Sequence, residues 1–283
     1  MIMARSTEEV RRYVRAAHGD GRSVGFVPTM GALHGGHATL IRRSANECDE
    51  TVVSIFVNPL QFNDKADLEN YPRTFEADRT TCIDSGAGLV YLPEESDLYP
   101  VGFDTRVEPG ALGQSLEGAG RPGHFSGMAT VVLKLLNVVG ADRAYFGKKD
   151  FQQLSIVRRM VSDFNLPIRI VGCPTVRDHD GLALSSRNAL LSPSDRLAAA
   201  VLNRALRGAV DRLRSGSSCD EALRVAHEAL DTEPCVSLEY LSIVDKRTLV
   251  AEISDPANAV VLVAARIGTV RLIDNMEVTP DDD

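Results

Sequence analysis

Residues Val27 to His37 read VPTMGALHGGH, which sets two imidazoles three residues apart around a glycine pair. An imidazole near neutral pH can donate or accept a hydrogen bond, carry a proton or bind a metal. Glycine lets a backbone approach a ligand closely. An apolar run from Val24 leads into the segment, Pro28 breaks it, and ATLIRRSANE after His37 has helical spacing. The segment therefore falls where a strand gives way to a helix. In an open α/β sheet ligands bind at that edge, and a helix N-terminus favours phosphate. His34 and His37 would then sit beside phosphates, with Gly31, Gly35 and Gly36 keeping the backbone close. Taken alone, the pair also fits two loop histidines satisfied by backbone or water. A zinc pair expects a spacing of four on a helix or a third ligand nearby, and neither is visible. No GxxxxGK[ST] occurs, and GDGRSVG precedes a strand instead of following one, so a P-loop is excluded.

Other polar segments fall at comparable places. FGKKDFQQ, residues 146–153, puts Lys148, Lys149, Asp150 and Gln153 at the end of a short strand and the start of a helix. DGLALSSRN from Asp180 combines hydroxyls with Arg187 and has few apolar anchors, which suits a mobile phosphate clamp. FVNPLQFN supplies Asn58, Gln61 and Asn63, uncharged groups able to read hydroxyls and a carboxylate. EGAGRPGHFSGM is Gly-rich and polar, so it reads as a lid or as surface. Each is a weak signal alone, yet four at successive strand ends of one sheet point to a single site.

The elements that must position these residues alternate. STEE at Ser6–Glu9 is a capping box opening a helix to about Ala17. Apolar β-rich runs begin at Val24, Thr51, Gly88, Arg143 and Ile168, and amphipathic helical patterns lie between them. That order predicts βαβ units and a parallel sheet covered on both faces. From Pro193 two helical stretches follow, then SLEYLSIVD, AVVLVAARI and TVRLIDNM with no helix between them. These predict a small C-terminal α+β domain with an antiparallel sheet. The boundary is placed at residue 175, giving domains 1–175 and 176–283.

The 283 residues are 44% hydrophobic and 25% charged, enough to bury a sizeable core. A net charge of -8 with no long basic run disfavours a nucleic-acid partner. No apolar run approaches the ~18 residues of a membrane span, and MIMARSTEEV lacks a signal-peptide core, so a cytoplasmic protein is expected. Five scattered cysteines without a CxxC pair suggest neither a disulfide framework nor a thiolate zinc site.

Read together, VPTMGALHGGH, FVNPLQF, YPRT, RPGHF, VVLKLLN, FGKKDFQQL and DGLALSSRN resemble, in order and approximate spacing, the pantothenate synthetases, AMP-forming ligases that join pantoate to β-alanine. The resemblance implies a Rossmann-like nucleotidyltransferase domain with an HxGH motif, a smaller C-terminal domain acting as a lid, and a homodimer. It implies ATP as a substrate, Mg²⁺, and a pantoyl-adenylate intermediate. By it, ATP contacts fall on Pro28, on Met30, Gly31, Ala32, Leu33, His34, Gly35, Gly36 and His37, on Gly147, Lys148, Lys149 and Asp150, on Val176, and on Leu184, Ser185, Ser186 and Arg187. Within that set His34, His37, Lys149 and Arg187 are the candidate catalytic groups. Pantoate and β-alanine fall on Met30, Asn58, Gln61 and Gln153. Where the family has an acidic pair after YPRT this chain has Ala77 and Asp78, which leaves Asp78 as the candidate magnesium ligand. Ser126 stands where Arg is common and Gly35 where Glu is common.

Overall fold

The computed structural model describes residues 1–281. By its internal contacts the chain forms two compact units, Met1–Lys148 with Gln152–Pro174, and Lys149–Phe151 with the chain from Thr175 on.

Six parallel strands carry the first unit: β1 (Ile2–Ala4), β2 (Val24–Thr29), β3 (Glu50–Ile55), β4 (Leu89–Tyr91), β5 (Arg143–Gly147) and β6 (Arg169–Cys173). Their spatial order is β1-β4-β3-β2-β5-β6. The helices that matter for the site are α1 (Thr7–Gly19), α2 (Gly35–Glu47), α3 (Phe75–Asp84), α4 (His124–Val139) and α5 (Phe151–Asp163). Successive strand residues point to opposite faces. Phe26, Val52, Leu89, Tyr91, Ala144 and Phe146 accordingly pack on one face with α1, α4 and α5, whereas Val27, Val53, Val90 and Tyr145 pack on the other with Leu40 and Ile41 of α2. A sheet buried on both sides needs apolar runs, and the strands supply them at residues 24–27, 52–53, 89–91 and 144–146. The capping box at Ser6 and Glu9 forms as the sequence predicts. β1 is the strand that sequence patterning passes over. Its three residues are too few to show alternation, and only the register Ile2 to Leu89 and Ala4 to Tyr91 defines it.

The strand order reverses at β2, which has β3 on one side and β5 on the other. A ligand crevice in such a sheet opens at the carboxyl ends of the strands flanking the reversal. The Met30–His37 segment leaves β2 there, and Gly147 ends β5 there.

The second unit holds an antiparallel sheet, β7 (Val236–Asp245), β8 (Ala259–Ile267) and β9 (Val270–Glu277), in that order. Helices α6 (Val201–Arg214) and α7 (Cys219–Leu230) join its core through Leu202, Leu206 and Val210 and through Ala222 and Ala226. The five cysteines form no disulfide, and Cys48, Cys82 and Cys173 are buried.

Candidate active site

Hydrogen bonds shape the segment after β2. Thr29 Oγ1 donates to the Ser54 carbonyl at 2.8 Å and accepts from the Gly31 amide at 3.2 Å. Gly31 and Ala32 both take positive φ, +83° and +50°, so the chain turns sharply and points its next amides inward. The Asp78 carboxylate from α3 receives them, Ala32 N at 3.0 Å and Leu33 N at 2.7 Å, together with the Thr74 hydroxyl at 3.0 Å. Asp78 is buried at 2% exposure. A Cβ at Gly31 would stand 3.0 Å from Asp78 Oδ2, which makes that glycine part of the same arrangement.

The turn delivers His34 to the N-cap of α2. The Gly36 amide donates to His34 Nδ1 at 3.1 Å, and the His34 amide donates to His37 Nδ1 at 3.4 Å. Two backbone donors on two Nδ1 acceptors assign both neutral rings the tautomer with the proton on Nε2. The ring centroids lie 4.2 Å apart. A Cβ at Gly36 would come within 2.8 Å of the His34 ring, so the cap itself requires glycine at that position. The result is two Nε2–H donors at the positive end of a helix, a combination suited to phosphate oxygens.

The segment after β3 forms a second layer of the same unit. Asn58 Nδ2 donates to Gln61 Oε1 at 3.0 Å and to the Gly127 carbonyl at 3.1 Å. Asn58 Oδ1 accepts from Tyr99 Oη at 2.6 Å and from the Leu60 amide at 3.4 Å. Gln61 Nε2 meets Met30 Sδ at 3.1 Å. Burial raises the Tyr99 phenol well above its ordinary range, so it stays protonated and donates to Asn58. Asn58 thus touches protein through its whole amide and orients Gln61.

RPGHFSG, a lid or surface by its composition, is partly interior. His124, Phe125, Ser126 and Gly127 are buried in the first turns of α4. His124 Nδ1 donates to the Gln61 carbonyl at 2.8 Å, with Arg121 at 3.2 Å from Nε2. A Cβ at Gly127 would collide with the Leu60 carbonyl. Asn63 Nδ2 reaches the Pro122 carbonyl, and Ser126 donates to Glu108 at 2.6 Å. Of the two glutamines opening α5, Gln152 is buried, donating to the Leu112 and Ser115 carbonyls and accepting from the Glu117 amide. Gln153 is half-buried.

In the second unit, Lys149 Nζ lies 3.7 Å from Asp150 with its side chain only 18% exposed. Residues 176–184 form a hairpin, Leu184 N to Val176 O at 2.9 Å and Asp178 N to Leu182 O at 2.8 Å, which leads into a short turn capped by Ser185 through the Arg187 amide. This segment has the apolar anchors that its sequence conceals, since Leu182 and Ala183 are buried. Arg196 grips Asp180 at 2.5 Å and Asp178 at 2.7 Å. Both carboxyls are held below their ordinary range, Asp178 chiefly by His179 and Asp180 chiefly by Arg196.

Among the described residues no three His, Cys, Asp or Glu side chains group as a metal would need. Both Asp78 oxygens already accept protein hydrogen bonds, so the donor set does not make a protein-built magnesium site. Sequence patterning passes over Thr74, Tyr99, His124, Arg177, Asp274 and Asn275. The clearest missed signal is the charged Asp274 within the strand RLIDNM.

The chain matches the family model described as pantoate-beta-alanine ligase over residues 2–277. It is 53% identical over 261 residues to a pantothenate synthetase of Deinococcus radiodurans, covering 89% of this chain and 92% of the relative. It superposes on a crystal structure of pantothenate synthetase from Thermus thermophilus with a TM-score of 0.92 at 47% identity, covering 99% of this chain and all of that one. A pantoate-beta-alanine ligase from Francisella tularensis, solved in complex with beta-gamma ATP and beta-alanine, has a TM-score of 0.80 at 36% identity over 98% of both chains.

Proposed function

The chain belongs to the pantoate-beta-alanine ligase family, and from that premise we propose how its residues carry out the ATP-dependent condensation of pantoate with β-alanine. A carboxylate does not condense with an amine unaided. In the first half-reaction a pantoate carboxylate oxygen attacks the α-phosphorus of ATP, the bond to the bridging oxygen breaks, and pyrophosphate leaves with that electron pair. In the second, the neutral β-alanine amine attacks the pantoyl-adenylate carbonyl. AMP leaves, the amine loses a proton, and pantothenate forms.

Negative charge grows on the α-phosphate and on pyrophosphate in the first step, where fixed donors lower the barrier most. His34 and His37 supply them through Nε2–H, supported by the first amides of α2. This reading is carried by one observation, the two backbone amides on the two Nδ1 atoms. Lys149, Ser185 and Arg187 add further phosphate contacts, as do the other ATP positions from Pro28 to His37, from Gly147 to Asp150, and at Val176, Leu184 and Ser186. Gln61 and Gln153 hold pantoate, with Met30 beside them, and Asn58 acts through Gln61. Holding both reactants in register contributes as much as any one cation. Magnesium, were it bound, would supply neutralisation of phosphate charge. Asp78 fixes the loop that receives the nucleotide.

We assign residues 1–175 to catalysis and to most of the ATP and pantoate contacts, and residues 176–283 to the contacts at Val176 and Leu184–Arg187 and to a lid that shields the adenylate from water. No helix of the described residues is long and apolar enough to cross a membrane. The enzyme is proposed to work in the cytoplasm as a homodimer.

His37→Ala removes one preorganised donor, so formation of enzyme-bound adenylate in a single turnover should slow ~10²-fold or more. A variant that forms adenylate at the wild-type rate would refute the role given to His37.

A further inference from the structure

Three segments far apart in sequence meet inside the second unit. Asp274 on β9 is buried at 2% exposure, and its carboxylate takes two N–H groups of Arg177, at 2.6 and 2.9 Å. The Arg177 guanidinium also donates to the Gly181 carbonyl in the 176–184 hairpin and to the Asn275 carbonyl on β9, both at 3.0 Å. The Asn275 amide Nδ2 donates in turn to the carbonyl of Lys149 at 2.8 Å. Burial raises the Asp274 carboxyl, against the opposing pull of Arg177 and, more weakly, Lys149.

A buried ion pair is weak evidence for net stability, because desolvation offsets most of its attraction. Its geometric effect is specific. One guanidinium ties the hairpin that runs into Leu184–Arg187 to β9, and one amide ties β9 to the peptide of Lys149. The contacts of Lys149–Phe151 group that tripeptide with the second unit although the chain on both sides belongs to the first. An Asn at the end of that relay, bonded to a main-chain carbonyl, sets where the lysine stem begins without touching its ammonium.

We infer that Asp274, Arg177 and Asn275 are positioning residues that fix Lys149 and the Ser185–Arg187 turn relative to one another, so that the C-terminal strand acts in adenylation without contacting substrate. This rests on the phosphate-binding role proposed for Lys149.

The test is a double-mutant cycle on pantoate-dependent pyrophosphate–ATP exchange in the full-length enzyme, with thermal unfolding followed in parallel. Asn275→Ala and Asn275→Asp each remove the donor to Lys149, and either should lower the exchange kcat by roughly 5- to 10-fold, within the coupling range of contacting residues. The pantoate KM should not move. In a Lys149→Ala background the same substitutions should change the rate less than about twofold, since the group being positioned is gone. Losses that multiply independently of Lys149 overturn the inference. So does an Asn275 series with full exchange activity beside an impaired Lys149→Ala enzyme. Unchanged exchange in Lys149→Ala alone overturns the role of Lys149 itself, and the inference falls with it.

Discussion

Asn58 has every polar atom of its side chain bonded to protein, two donors on Gln61 and Gly127 and an acceptor shared by Tyr99 and Leu60. Its contribution to substrate therefore passes through Gln61. Gln61→Ala should raise the pantoate KM most. Asn58→Ala should raise it by a smaller factor, roughly 3- to 10-fold, the size of one lost buried hydrogen bond. The double variant should be little worse than Gln61→Ala, because the two residues act as a unit. Initial rates against pantoate at saturating ATP check this, and a raised ATP KM with an unchanged pantoate KM in Asn58→Ala would contradict it. FVNPLQF makes Asn58 and Gln61 visible as a polar pair after a buried strand. The division of work between them depends on Tyr99 and Gly127, 41 and 69 residues away, and no local pattern encodes such partners.

At the scale of elements, the turn between β2 and α2 depends on α3. Asp78 receives consecutive amides of a left-handed turn, and hydrogen bonds to a charged acceptor are worth about 1.5–3 kcal/mol each. Asp78→Asn keeps the shape but sets an amide N–H against a backbone N–H, so the histidine pair loses its support. Adenylation should slow roughly 10- to 100-fold, the rate equivalent of one such bond. The Mg²⁺ concentration for half-maximal rate should stay where it is. A rate restored by excess Mg²⁺ would make Asp78 a metal ligand and refute the anchoring role. The two sequence expectations fare differently here. The strand–turn–helix was legible because glycines, proline and a change of apolar period mark it within a dozen residues. The anchor was not, since the resemblance offers Asp78 only as a magnesium ligand, and the amides it holds, those of Ala32 and Leu33, lie 46 and 45 residues away in the sequence. RPGHF shows the same limit, as its buried His124 bonds the Gln61 carbonyl 63 residues away.

Across the whole molecule, the reversal of strand order at β2 puts the ends of β2, β3 and β5 side by side at the carboxyl edge of one sheet although the chain separates them by tens of residues. The alternation of β-rich runs and helices foretold the parallel sheet, and its absence after residue 235 foretold the antiparallel one. The strand order itself is set by which apolar faces can be covered, which one-dimensional periodicity does not record. Edge strand β1 escaped because its three residues are too few to show a period. The overall charge of -8 sets no obstacle to an anionic nucleotide, because the groups proposed to meet phosphate are local donors in a turn and at a helix end. The proposed reaction has one order, adenylation of pantoate before any amine arrives. Exchange of labelled pyrophosphate into ATP, followed with Mg²⁺ and pantoate but no β-alanine, tests it most directly. Exchange should require pantoate, and AMP should appear only when β-alanine is then added. Exchange that ignores pantoate, or AMP released with pantoate only after β-alanine has bound and with no prior exchange, would contradict it.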